Sequence, residues 1–175
     1  MDITNRGIIL VGHGGLPSDF PSDQVAKLMR LEKERRRTKQ EPSTEEIEID
    51  RTLRYWPRTA ESDPYKAGLE QLHTHLSPLF NGMRVKLAYN EFCAPNLTEA
   101  IEAMIAEEVR HITVASTMFT PGGSHSEIEI PEEIEPLKSK YPDTTIVYAW
   151  PYDLSKVANL LKEHITSFDL HACES

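Results

Sequence analysis

Cysteine is scarce in this chain, and so are long apolar runs, aromatic rings and net positive charge. Its two cysteines among 175 residues, Cys93 and Cys173, stand far apart with no C-x-x-C spacing, which excludes a disulfide scaffold, a zinc ribbon and a thioredoxin-like site. Two reduced thiols are expected. No apolar run reaches the roughly 18 residues needed to cross a bilayer, and Met1 to Asn5 lacks the basic and apolar parts of a signal peptide. The expected location is the cytoplasm. The formal net charge of -9 repels nucleic acid phosphates and anionic lipid alike. Neither nucleic acid nor a membrane is therefore expected as a partner, and an anionic ligand requires cations gathered locally.

What is present is 39% hydrophobic and 27% charged sequence, the composition of one compact domain over residues 1–175. Four segments read as buried strands by their β-branched and aliphatic content: "GIILV", "RVKLAY", "HITVAS" and "TIVYA". Helical patterns separate and follow them. "PNLTEAIEAMIAEEV" puts Leu97, Ile101, Met104, Ile105 and Val109 on one face, with Pro95 and Asn96 at its start. "IPEEIEPLKSK" does the same with Ile130, Ile134 and Leu137, and Asp153 is placed to cap "LSKVANLLKEHI". Such alternation predicts an α/β domain, a four-stranded parallel sheet with helices on both faces.

The first connection is the irregular one. It holds a basic helix from about Ser22 to Lys39, a second from about Ser43 to Trp56 with Ser43 and Glu46 spaced as a capping box, and a third from Tyr65 to Phe80. The third carries Tyr65, Leu69, Leu72, Leu76 and Leu79 as a core-facing stripe and is the expected crossover helix. Residues from about 18 to 60 then form a helical insertion after the first strand. Its run "LEKERRRTKQ" gathers Lys33, Arg35, Arg36, Arg37 and Lys39, either as a solvated helix face or as a local patch for an anion.

In an open parallel sheet, ligands bind beyond the carboxyl ends of the strands, near the point where strand order reverses. His13 in "GIILVGHGG" follows the first strand, Glu91 in "NEFCAPNL" the second, and His125 in "FTPGGSHSEIEIP" the third. Two imidazoles and a carboxylate suit divalent iron, cobalt, nickel or zinc, and the same groups can accept protons. Each residue also has a plainer reading: glycine geometry at a strand-to-helix turn for His13, a helix cap for Glu91, an exposed turn for His125. His73 and His75 point in different directions on one helix, and a surface place is expected for both. His164 sits at the edge of the last helix's apolar face, while His171 and Cys173 fall in the terminal tail. Cys93 is near enough to Glu91 to be a thiolate ligand, although a small buried cysteine is the commoner role.

The stretches "LVGHGG", "NEFCAPNLTEAIEAMIAEEVRHITVASTMFTPGGSHSEIEIPEEI" and "YAWPYD" resemble the small CbiX-like sirohydrochlorin cobaltochelatases and ferrochelatases, which are class II tetrapyrrole chelatases. The likeness covers the first strand and nearly everything from Arg84 onward. G-H-G alone carries little; followed by a strand-end E-F-x-x-P and a G-x-H-x-x-x-x-I-P, it is specific. The sequence departs from the pattern at Gly15, where many relatives have serine, at Glu129, where they have aspartate, and in the long insertion.

The resemblance implies a chelatase-like (flavodoxin-like) three-layer fold that inserts a divalent metal (Co2+, Ni2+ or Fe2+) into a sirohydrochlorin-type tetrapyrrole without ATP or an organic cofactor. His13 and His125 match the two metal-site histidines and Glu91 the acidic cleft residue. Contacts to the macrocycle are expected from Gly14, from Gly122, Gly123 and Ser124, from Arg54 and Arg58 in the insertion, and from Trp150. Trp150 and Tyr152 could form a wall of the cleft, with core packing the other role open to Trp150. Larger family members have two similar lobes, so a homodimer is expected here. The competing readings are a non-catalytic metal or tetrapyrrole carrier, a phosphohydrolase with a phosphorylated His13, and a structural partner protein. Val11 and Gly12 stand where phosphohydrolase chemistry would want an arginine.

Overall fold

The computed structural model describes residues 5–172. The sheet consists of β1 (Arg6–Gly12), β2 (Arg84–Tyr89), β3 (His111–Ser116) and β4 (Thr145–Tyr148) in the order β2-β1-β3-β4. All three pairings are parallel. The chain leaves β1 towards one neighbour and later returns to the other side, so the topological switch point lies between β1 and β3.

Helices α4 (Leu97–Ala106) and α5 (Ile130–Lys140) cover one face. Their stripes, Leu97, Ile101 and Met104 on α4 and Ile130, Ile134 and Leu137 on α5, join Ile9, Val11, Ile112, Val114 and Ile146 in the main core. Asn96 caps α4 through a reciprocal box with Glu99, which satisfies two of the helix's orphan N–H groups. The opposite face is covered by α3 (Pro64–Leu76), whose Leu69 packs with Leu10, Tyr89 and Cys93.

The stripe expected on α3 is only partly a core stripe. After Leu76 the helix tightens into a 3-10 turn over Ser77–Phe80, which changes the angular step per residue and leaves Leu79 72% exposed. Leu72 is 44% exposed. His73, expected at the surface, instead reaches the sheet and bonds the Val85 carbonyl through Nε2 at 2.9 Å.

The insertion is a hairpin of α1 (Ser22–Thr38) and α2 (Thr44–Arg54) with a small core of its own, formed by Phe20, Leu28, Ile49 and Leu53. Ser43 Oγ accepts the Glu46 N–H at 3.2 Å, the first half of the capping box. The second half does not form: the Glu46 carboxylate is buried between the helices and accepts from Arg35 Nε at 2.6 Å.

Arg58, expected to reach a substrate, is a structural clamp. Its side chain is 4% exposed and pairs with Asp63, which is 1% exposed. The guanidinium donates to the carbonyls of Gly15 at 2.7 Å and Leu53 at 3.0 Å, and to that of Phe92. Asp63 also caps α3 by accepting the Lys66 N–H. Both terminal nitrogens are spoken for, each by two acceptors, while Nε is buried without a partner among the described residues. Arg54 is committed in a similar way, to Asp50 at 2.8 Å and to the Cys93 carbonyl at 3.4 Å.

Helix α6 (Leu154–Ala172) forms where expected, with Ser155 N–H bonded to the Asp153 carboxylate. Its apolar face is uncovered: Leu154, Leu160, Leu161, Ile165 and Phe168 are each more than half exposed. Among the described residues no helix is long and apolar enough to cross a membrane.

Removing one partner of a buried ion pair strands the other charge. Arg58→Met is expected to destabilise the protein by about 3–5 kcal/mol, read as a lower midpoint in urea unfolding.

Candidate metal centre

The parallel ladder between β1 and β2 runs on past the strand ends. Asn90 N–H donates to Gly12 O at 2.9 Å, and Glu91 N–H to His13 O at 2.8 Å. That register sets Glu91 beside His13. Gly14 makes the approach possible: its φ is +95°, and a Cβ there would lie 1.9 Å from the Glu91 carbonyl oxygen. A residue with a side chain could occupy this position only if one loop moved away.

His125 arrives from the other side, on a five-residue π-helical turn (His125–Glu129) that opens α5. The ligand atoms of His13, Glu91 and His125 all lie within 4.8 Å of one another. His13 Nε2 is 3.8 Å from Glu91 Oε2, and the two imidazoles meet edge to face, 4.8 Å between centroids. Donors around one ion at about 2.0–2.2 Å stand roughly 3–3.5 Å apart, so a small inward turn of the side chains would close the trio on a metal. The sites of these residues are half-buried, with side-chain exposure of 42% for His13, 26% for Glu91 and 22% for His125.

Neighbouring groups fix which nitrogen faces the centre. His13 Nδ1–H donates to the Gly14 carbonyl at 2.9 Å, which leaves Nε2 with its lone pair towards Glu91. His125 Nδ1 lies 2.9 Å from Glu129 Oε2 and 2.7 Å from the Asn90 amide nitrogen. It cannot donate to one and accept from the other. The carboxylate is the stronger partner, so Nδ1–H points at Glu129, the Asn90 amide donates to the same carboxylate at 3.0 Å, and Nε2 faces the centre. Burial opposes the charge on Glu129, yet the hydrogen bonds from His125 and Asn90 outweigh it and hold this carboxyl below its ordinary range.

Glu91 is not the cap of the following helix, since Asn96 fills that place. Cys93 is 1% exposed, its thiol turned to the Ala94 carbonyl. Burial pushes that thiol above its usual range, against ligation. Cys173 lies outside the described residues.

Asn90 and Tyr65 are supporting residues that motif reading passes over, and Glu129, noted in the sequence only as a departure from the family pattern, is a third. Tyr65 accepts the His13 backbone N–H at 2.7 Å. Only Glu129 carries a sequence signal, a carboxylate four residues after a histidine on a helical turn. Gly122, Gly123 and Ser124 are exposed in the loop leading to His125. Trp150 is half-buried in an aromatic row past β4, stacked 6.1 Å from Tyr148 and edge-on 5.9 Å from Tyr152, which in turn meets Phe119 at 5.3 Å. Tyr152 OH is anchored on the Ser116 carbonyl at 2.6 Å, so this row stands at the β3–β4 end of the cleft. A larger surface hollow of about 700 Å3, lined by Arg51, Tyr55, Trp56 and neighbouring residues of the insertion, contains none of the three ligands.

The sequence profile of the CbiX family matches residues 60–167. A sirohydrochlorin cobaltochelatase of Priestia megaterium is 34% identical over 74 residues, 42% of this chain and 24% of that protein. A sirohydrochlorin ferrochelatase of the same organism is 25% identical over 89 residues, 49% of this chain and 33% of that protein. These matches thus span a quarter to a third of the curated relatives. The crystal structure of a putative cobalamin (vitamin B12) biosynthesis CbiX protein from Marinobacter aquaeolei VT8 superimposes with a TM-score of 0.56 at 17% identity, over 95% of this chain and 98% of that one. It shows the fold.

Two outcomes are expected of this geometry. Asn90→Ala and Glu129→Gln should each weaken Co2+ binding by about 10–100-fold in calorimetric titration, because they free the His125 ring to turn. Iodoacetamide at pH 8 should leave Cys93 unmodified in the folded protein and alkylate it in urea, as located by peptide mass mapping.

Proposed function

The chain belongs to the CbiX family, and on that premise we propose that it inserts a divalent metal ion, Co2+, Ni2+ or Fe2+, into a sirohydrochlorin-type tetrapyrrole without ATP, in the cytoplasm. The observation that carries this reading is the meeting of His13, Glu91 and His125 within 4.8 Å at the ends of three adjacent strands. The names of the curated relatives, a cobaltochelatase and a ferrochelatase, support the same chemistry. The free, buried Cys93 fits a reducing compartment.

Metallation exchanges two pyrrolic protons for one divalent ion. The substrate ion would arrive hydrated and exchange part of its water, lost to solvent, for the two Nε2 lone pairs, which would hold it for the ring nitrogens on one side. Glu91 balances part of its charge and accepts a proton as each ring N–H is displaced, releasing it to solvent at the open edge. The aromatic row of Phe119, Tyr152 and Trp150 is a hard wall against which a bent macrocycle can rest, with the Gly122–Ser124 loop and Gly14 allowing close approach of the backbone. Arg54 and Arg58 have no part in holding the substrate.

The proposal includes a homodimer. The uncovered face of α6, with Leu154, Leu161, Ile165 and Phe168, favours it over a monomer, because a helix with one apolar side needs a surface to bury it.

The test is to mix the protein with sirohydrochlorin and each metal in turn, and to follow the absorption change against the spontaneous rate. At least one metal should be inserted faster than in its absence. His13→Ala and His125→Ala should remove most of the acceleration with unchanged melting, and Glu91→Gln should lower it by a smaller factor. A protein that binds metal and tetrapyrrole without accelerating their union is a carrier. Light scattering during gel filtration should give twice the chain mass for the parent and one chain for the Leu161→Glu, Ile165→Glu double variant. A strictly monomeric parent would leave the α1–α2 hairpin as the second wall of the cleft.

A further inference from the structure

Helix α1 and the loop after β2 flank an open-sided cavity of about 340 Å3, lined by Met29, Glu32, Lys33 and Arg36 from α1 and by Glu91 and Phe92 from the loop. Glu91 belongs to both this cavity and the candidate metal centre, where its carboxylate stands 3.8 Å from His13. We propose that the cavity is a carboxylate subsite that takes one acidic arm of the macrocycle while the ring lies over His13 and His125. This inference rests on the metal-insertion reading above.

Charge and position together select this place within the insertion: Arg30, Lys39 and Arg51 are also without an ion pair among the described residues, but it is Lys33 and Arg36 that share a cavity with Glu91. Lys27, Arg35, Arg37, Arg54 and Arg58 each already pair with a carboxylate. Lys33 and Arg36 line the cavity and form no ion pair among the described residues; Arg36 feels Glu32 only at longer range. A protein of net charge -9 that must hold a polycarboxylate needs such uncommitted cations beside its metal centre. Arg36 can meet a carboxylate with two parallel N–H bonds, and Lys33 adds a mobile point charge.

The rest of the lining fits an acidic arm as well. Met29 and Phe92 offer apolar surface to its methylene groups. Phe92 is held in place, since its carbonyl accepts from the buried Arg58 and its ring packs on the hairpin core. Glu32 is the one lining carboxyl not claimed by the metal centre. Burial raises its pKa, with Arg36 pulling against that and Glu91 adding to it. At about 30 Å3 per water, the cavity has room for an arm and several waters.

The experiment compares the Lys33→Ala, Arg36→Ala double variant with the parent and with Arg37→Ala, which removes an equal kind of charge from the same helix outside the cavity. Sirohydrochlorin binding is titrated without metal by fluorescence, Co2+ binding is titrated without tetrapyrrole, and turnover is measured with both. The double variant should bind sirohydrochlorin about tenfold more weakly, raise KM alike, and leave kcat and the Co2+ affinity unchanged. Arg37→Ala should change none of these by more than about twofold. Equal binding by parent and double variant overturns the subsite, as does an equal loss in Arg37→Ala, which would mean a general field effect. A parent that binds sirohydrochlorin but does not turn it over overturns the catalytic reading alone, and the metal-free comparison still decides the subsite. A parent that binds no sirohydrochlorin overturns both.

Discussion

The buried pair of Arg58 and Asp63 is the constraint on which the site depends. One guanidinium ties the loop after β1 through Gly15, the loop after β2 through Phe92, the end of α2 through Leu53, and the start of α3 through Asp63. Two of the three candidate ligands sit on those loops, two residues before Gly15 and one before Phe92. Loops at strand ends are the softest part of a parallel sheet. Here a single charged plug fixes two of them to each other and to the insertion. Burying such a pair is not a cheap source of stability; what it supplies is a fixed geometry, because the fork satisfies its carbonyls in one arrangement only.

Around that plug the site is organised by the sheet's own hydrogen bonding. Continuation of the β1–β2 ladder through Asn90 and Glu91 places a carboxylate next to His13 without any long-range motif. Gly14, with a positive φ and no Cβ, lets the two loops touch. On the far side of the switch point, Glu129 and Asn90 hold His125. Asn90 is thus shared: its backbone extends the ladder, and its side chain reaches across to the third strand's loop. A candidate ligand set assembled in this way is rigid at its roots and open at its edge.

The charge distribution divides in the same manner. An acidic molecule can carry many arginines without having a basic patch, since most of those on the insertion are neutralised by partners on the neighbouring turn or helix. Counting cations in "LEKERRRTKQ" overstates what an anion would meet. Arg35 is spent between the helices on Glu46 and Arg37 on Glu34, while Lys33 and Arg36 turn to the cavity.

Much of this was legible in the linear order of residues. The strands, the alternation with helices, the caps at Ser43, Asn96 and Asp153, and the placing of His13, Glu91 and His125 after three successive strands all follow from local periodicity and from the rule that strand ends share one edge. Those signals are short-range or depend on chain order alone. Only the tertiary structure decided the roles of Arg58 and Arg54, the inward turn of Glu46 and the part taken by Asn90. Some of the partners are near in the chain, as Asp63 is to Arg58 and Asp50 to Arg54, but the choice among them depends on carbonyls and carboxylates brought from 11 to 43 residues away. An arginine written in sequence is a charge in search of a partner, and burial next to Asp63 and three carbonyls, not its neighbours in the chain, made Arg58 a clamp instead of a substrate hand.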